Sequence, residues 1–285
     1  MFLDNAATTP LKLEVKNYII SLLDTYQNPS SLYQSGVNAK QIINTARNNV
    51  AKFINANPEN IIFTSGGSAN NTLFIKGCTQ KNKYRVLYSP TSHKSVLKCV
   101  ESLKYKCPLK VDHTGRIDIQ DLKECLSSDT MKKLVVIEYA NSEIGTIQDV
   151  KQIIEMCHFY NAIVYVDCTG SISQIPVYIR TLDVDGIGFS AHKLGALKGT
   201  GVLYKKSFIE LENENLHISA VKRSEDGLGC VVRLFNPSSE TVKNRIRFNG
   251  GIAEISDKQS PIERQVHSFE LPCTENRKWA SVKKV

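Results

Sequence analysis

The sequence has little of what marks a membrane, secreted or metal-organised protein. Apolar runs such as Ile163-Val164-Tyr165-Val166 stop after a few residues, so no segment is suited to span a bilayer. The N-terminus, MFLDNAATTP, has no basic stretch followed by an apolar run, which argues against a signal peptide. None of the eight cysteines (Cys78, Cys99, Cys107, Cys125, Cys157, Cys168, Cys230 and Cys273) is spaced C-x-x-C, and no histidine pairs with them at zinc-like spacing. A metal site therefore has little support, and the cysteines read as reduced thiols of a cytoplasmic protein. There is no internal repeat and no low-complexity run.

What is present is ordinary for a globular chain: 285 residues, 41% hydrophobic and 22% charged, enough for one large domain or two modest ones. The net charge of +8 is spread along the chain. Residues 1–210 hold 24 basic against 18 acidic residues, and residues 211–285 hold 12 against 10. With no basic–aromatic cluster on one face, direct nucleic-acid binding is not expected.

From about residue 12 to 205, helical and strand patterns alternate. Leu13, Val15, Tyr18, Ile19, Leu22 and Leu23 keep helical spacing, as do Ala39, Ile42, Ile43, Ala46, Val50 and Phe53. Between helices lie short apolar segments at 61–63, 86–88, 134–137, 163–166, 186–189 and 201–204, with no polar alternation, as expected of strands covered on both faces. This predicts an α/β domain with a mainly parallel sheet. After about residue 210 the texture changes. Residues 231–235 read as a strand, 236–239 as a turn, and Val242, Ile246 and Phe248 alternate with Lys243, Arg245 and Arg247. The expected division is residues 1–210 and a small β-rich tail, 211–285.

Four places carry the candidate chemistry. Ser190-Ala191-His192-Lys193 directly follows a strand. A lysine there sits where open α/β sheets bind ligands and, partly desolvated, can form a Schiff base with a carbonyl; read alone, such a residue is far more often a solvated surface lysine. Asp167 also ends a strand, as a turn residue or as the partner of a buried cation. Pyridoxal phosphate needs such an anion at its ring nitrogen. Thr64-Ser65-Gly66-Gly67-Ser68 joins a strand to a helix whose free N–H groups suit a phosphate. His93, just past residues 86–88, could stack on a flat heterocycle and handle protons, or simply cap a helix.

These stretches resemble the large domain of cysteine desulfurases, within the class V aminotransferase family. The resemblance rests on LDNAATTP (3–10), NPSSLYQSG (28–36), IIFTSGGS (61–68), NSEIGTIQDV (141–150), Asp167 and SAHK (190–193), which recur in family order over about three quarters of the chain. It implies a pyridoxal 5'-phosphate enzyme in which Lys193 holds the cofactor, Asp167 pairs with the pyridine nitrogen, and His93 stacks on the ring and shuttles protons. It also implies that Gly67, Ser68, Ser190 and His192 contact the phosphate. The implied reaction takes sulfur from L-cysteine to give alanine and a persulfide for a sulfur-acceptor protein, in iron–sulfur cluster assembly or tRNA thiolation. The implied assembly is a homodimer. Selenocysteine lyase, another class V aminotransferase activity, or a non-catalytic fusion protein are the alternatives.

The chain departs from the family pattern in several places. Its Ser65–Asn71 loop is one residue short of T-S-G-G-T-E-x-N-N. Ser142 stands for the second Asn of N-N-E-I-G, Gly170 for a Gln, and Leu197 for a proline. In the family the Asn and Gln contact the cofactor, so position 142 remains a binding candidate with a shorter side chain. Past residue 208 there is no match to the family's mobile-loop cysteine or carboxylate-binding arginine, which implies impaired turnover. The tail, through 219–227 and 231–237, instead resembles the C-terminal β-region of family 38 α-mannosidases.

Overall fold

In the computed structural model, which describes residues 3–80, 83–207, 209–211, 217–223, 229–235, 244–248, 256–259, 266–272 and 279–282, helices and strands alternate from residue 13 to residue 205. The chain divides into two compact units, residues 1–206 and 207–285. In the first, α1 (Leu13–Leu22) and α2 (Gln34–Phe53) precede β1 (Ile61–Thr64), α3 (Gly67–Thr79), β2 (Tyr84–Tyr88), α4 (Lys94–Glu101) and β3 (Lys106–Pro108). Then come α5 (Ile119–Ser127), β4 (Lys132–Glu138), α6 (Val150–Phe159), β5 (Ile163–Asp167), α7 (Ile179–Leu182), β6 (Gly186–Ser190) and β7 (Gly201–Lys205).

The sheet order is β1-β7-β6-β5-β4-β2-β3. Strands β3, β2, β4, β5 and β6 are mutually parallel; β7 pairs antiparallel with β6, and edge strand β1 pairs antiparallel with β7 and so runs in the same direction as the others. The central strands are buried on both faces because successive side chains feed different cores. Val135 and Ile137 of β4 and Val164 and Val166 of β5 join one cluster. Leu134, Val136 and Tyr165 join the other, with Phe74 and Ile75 of α3. Each fully buried aliphatic side chain of this kind contributes about 1.5–3 kcal/mol. At Gly188 a Cβ would lie 2.1 Å from the Tyr165 hydroxyl, so glycine is what lets α3 and β5 pack against β6.

Two sequence expectations are modified. Strand β1 is an edge strand, with Ile62 and Phe63 exposed, so it is not covered on both faces. Helix α1 forms where its spacing predicts, yet it buries none of its residues.

The parallel register fixes where the site lies. Glu138 and Asp167 are register partners at the ends of β4 and β5, and Asp167 continues to Gly188 of β6. Parallel strands bring their carboxyl ends to one side of a sheet, and ligands bind there.

All described elements of the second unit are strands. One sheet has the order β12 (Ser256–Gln259), β13 (Val266–Pro272), β10 (Gly229–Phe235) and β9 (His217–Arg223). The other has the order β14 (Trp279–Val282), β11 (Asn244–Phe248) and β8 (Ile209–Leu211). All pairings are antiparallel, and Val232 and Leu234, two apart in β10, are both buried. The turn expected at 236–239, Val242 and Cys273 lie outside the described residues.

Candidate active site

A cavity of about 670 Å³ opens at the carboxyl ends of the first unit's strands. Gly67, Ser68, His93, Ser142, Asp167, Ser190, His192 and Lys193 all line it, so residues far apart in the chain meet at one place. Asp4, Ala6 and Ala7 line it too, because the N-terminal segment is tied across the turn after β6. Thr9 Oγ1 donates to the His192 carbonyl at 2.8 Å and accepts the Gly195 N–H at 2.8 Å.

One wall is built at the start of α3. Gly66 has φ +140°, a conformation open mainly to glycine, and it turns the chain from β1 into the helix. The Gly67 N–H then donates to Ser190 Oγ at 2.7 Å. Asn70 anchors this helix end, its Nδ2 donating to the carbonyls of Phe189 (3.1 Å) and Val202 (2.8 Å). A Cβ at Gly67 would lie 2.8 Å from Thr169 Oγ1 and 3.0 Å from Ser190 Oγ, so the absence of a side chain keeps this corner open. Thr169 Oγ1 is buried and has no hydrogen-bond partner, an arrangement that normally costs free energy. His192 has its imidazole held below the usual range by burial and then by Lys193 and Lys198.

A second wall is a hydrogen-bonded chain. Asn71, fully buried on α3, donates from Nδ2 to Asp167 Oδ2 (2.8 Å) and to Ser95 Oγ (2.9 Å), and its Oδ1 accepts the Tyr165 hydroxyl at 2.7 Å. Asp167 Oδ1 accepts the Thr169 N–H at 2.9 Å. Ser95 continues the chain to His93, where Nδ1 meets Ser95 Oγ at 2.7 Å and accepts the Ser95 N–H at 3.2 Å. His93 is thus the N-cap of α4 and a cavity-lining residue at once. With Nδ1 accepting, the neutral ring carries its proton on Nε2.

Half-buried Glu138 lines the same wall. Burial, and then Asp167 on the neighbouring strand, push its carboxyl up to about 7, against the lowering effect of the His93 N–H, the Asn141 amide and Lys193. Lys193 lies half-buried in the 3-10 turn after β6.

Sequence reasoning missed Glu138, Asn71, Ser95 and Thr169. Glu138 carried the signal that exposed Asp167, a carboxylate ending an apolar strand. Asn71 closes the N-N of the family pattern, which gave it no role, while Ser95 and Thr169 matter through three-dimensional neighbours and no local pattern marks them. Two departures noted separately prove adjacent: a Cβ at Gly170 would lie 2.8 Å from the Ala140 carbonyl and 3.8 Å from Ser142 Cβ.

Comparison with known proteins decides the family. The family model for aminotransferase class V matches residues 1–221. The chain belongs to the class V aminotransferases. The chain is similar to the cysteine desulfurase IscS of Salmonella newport, 33% identical over 270 residues that cover 87% of this chain and 66% of the relative. Among solved structures, a NifS-like protein from Rickettsia africae aligns with TM-score 0.68 and 32% identity, covering 71% of this chain and 57% of that one. SspA in complex with cysteine aligns with TM-score 0.69 and 28% identity, covering 73% and 61%. The chain therefore spans just under two thirds of the curated relative's length. Residues 215–270 match the C-terminal β-sandwich domain of family 38 glycosyl hydrolases.

Class V aminotransferases depend on pyridoxal phosphate, and the residues present fit it. The glycine corner with its unpartnered Thr169 hydroxyl suits the phosphate ester. Buried Asp167 suits a protonated ring nitrogen, and Lys193 supplies an amine on the same cavity.

Proposed function

We propose that the first unit is the cofactor-holding domain of a cysteine desulfurase-like enzyme, which removes sulfur from L-cysteine and leaves alanine. The observation that carries this reading is the convergence of Lys193, Asp167 and His93 on one cavity that also contains an anion-suited helix start. Relatives named as cysteine desulfurases and a structural neighbour in complex with cysteine support the substrate class.

Bound pyridoxal phosphate would supply a carbonyl to take up an amine and a ring to withdraw electrons from the carbon bearing that amine. Asp167, held by Asn71 and the Thr169 N–H, would keep the proton on the pyridine nitrogen. The main-chain N–H groups opening α3, with Ser68, Ser190, His192 and Thr169, would bind the phosphate. Lys193 Nζ would be the attachment point for the cofactor. His93 would cover one ring face and hold a transferable proton on Nε2, and Ser142 would face the substrate side.

No described cysteine lines the cavity. Cys168, next to Asp167, is buried in the core, and its burial pushes the thiol far above its usual range. Sulfur would therefore pass to a thiol from outside the described site, and turnover by this chain would be slow. The finer reading is a cytoplasmic homodimer that passes sulfur to an acceptor protein for iron–sulfur cluster assembly. Residues 1–210 and 211–285 would be of different origin, since the two family models meet at 215–221.

The test is uptake of pyridoxal phosphate by the purified chain. A visible absorption band that borohydride bleaches is expected, and Lys193→Ala should abolish it. A folded wild-type chain without such a band would overturn the reading. Product analysis with L-cysteine, L-selenocysteine and other amino acids, with dithiothreitol as thiol, separates desulfurase from lyase or transaminase.

A further inference from the structure

Glu138 is a carboxylate whose place in the site none of the sequence motifs explains. Its Oε1 accepts the main-chain N–H of His93 at 2.5 Å, and its Oε2 accepts Asn141 Nδ2 at 2.9 Å. Asn141 is fixed in its turn: Nδ2 also donates to the Thr91 carbonyl at 2.7 Å, and Oδ1 accepts the N–H groups of Glu143 (2.8 Å) and Ile144 (3.0 Å). One carboxylate thus ties the segment that delivers His93 to the loop that leaves β4. A carboxylate is the side chain that answers two separate donors with two acceptor oxygens.

That arrangement is held against an opposing force. Asp167 is the register partner of Glu138 on β5, so its negative charge adds to burial in disfavouring an ionised Glu138. An apolar residue at the end of β4 would avoid the conflict. The residue nevertheless present bonds to His93, which is exposed and sits where a loop becomes a helix. Ser95 holds the imidazole of His93, and Glu138 holds its main chain. The two contacts fix different parts of one residue.

We infer that Glu138 is a positioning residue that holds His93 in place to cover the face of the cofactor ring. The inference rests on the reading of the cavity as a pyridoxal phosphate site, and its test separates the two. The full chain is prepared as wild type, Glu138→Ala, Glu138→Gln, His93→Ala and the Glu138→Ala/His93→Ala double variant. The dissociation constant for pyridoxal phosphate is measured by absorbance titration. Solvent exchange of the His93 main-chain amide is followed by NMR without cofactor.

Glu138→Ala and His93→Ala should each weaken binding at least tenfold, and the double variant should bind no more weakly than His93→Ala alone. Glu138→Gln, which keeps one acceptor oxygen, should lose less than Glu138→Ala, and it serves if the alanine variant fails to fold. The His93 amide should exchange at least tenfold faster in Glu138→Ala. Losses that multiply in the double variant would show that Glu138 acts independently of His93 and overturn the inference. An unchanged amide exchange rate would overturn it as well. If wild type takes up no cofactor, the cavity reading fails, and the exchange rates alone decide whether Glu138 tethers His93.

Discussion

The two walls of the cavity are built on opposite terms. On the wall formed by Asp167, Asn71, Ser95, His93 and Glu138, a continuous run of hydrogen bonds links the residues, side chain to side chain as far as His93 and through the His93 main chain to Glu138. On the wall at the start of α3, a glycine keeps space open, Ser68 is exposed and the Thr169 hydroxyl is buried without a partner. The first wall is part of the protein's own structure and contributes to its folding. The second holds hydrogen-bonding capacity that the protein itself does not use and that suits an anion. Substitutions should therefore separate: on the first wall they damage the chain itself as well as what it binds, and at Thr169 and Ser68 they damage only what it binds.

The largest effect is expected for Asn71→Leu. It strands the Tyr165 hydroxyl and removes a donor from Asp167, both buried, so about 3 kcal/mol of stability should be lost. Urea unfolding without cofactor measures this, and a midpoint equal to wild type would erase the contrast between the walls. Thr169→Val comes next and should behave in the opposite way. Unfolding should stay within about 0.5 kcal/mol of wild type, since a hydroxyl without a partner is replaced by a methyl. Affinity for pyridoxal phosphate should fall about tenfold, near the roughly 1.5 kcal/mol of a hydrogen bond to a charged group. Affinity for pyridoxal, which lacks the phosphate, should not change; an equal loss for both would place the hydroxyl elsewhere. Ser68→Ala should have the smallest effect, about threefold on pyridoxal phosphate binding with no change in unfolding, because an exposed hydroxyl competes with water.

The sequence carried the central strands, because they are the short apolar runs expected of a doubly covered sheet, but it did not mark β3 (Lys106–Pro108). It carried Asp167 and Lys193 because both follow such runs. It did not reveal that β7 alone runs antiparallel to the rest and separates β1 from the other parallel strands, since strand direction depends on how connections cross the sheet and not on local pattern. The hydrogen-bonded wall was largely invisible. Asn71 and Ser95 lie 24 residues apart, and Asn71 and Asp167 lie 96 apart. In the tail, alternation around Ile246 and Phe248 marked β11, while the partners of that strand, β8 and β14, carried no comparable signal.

The ties that shape the cavity have a consequence for biosynthesis. Thr9 bonds to His192 and Gly195, Gly67 to Ser190 and Asn70 to Val202, across separations of 123 to 186 residues. A nascent chain leaves the ribosome N-terminus first, so none of these bonds can form until the segment near residue 190 has emerged. The bond to Val202 waits longer still. Contacts of such long separation also form slowly after release. Vitamin-derived ligands can therefore assist only the closing stage of maturation, and a pause in translation before residue 190 would leave a partly folded, aggregation-prone intermediate that they cannot rescue.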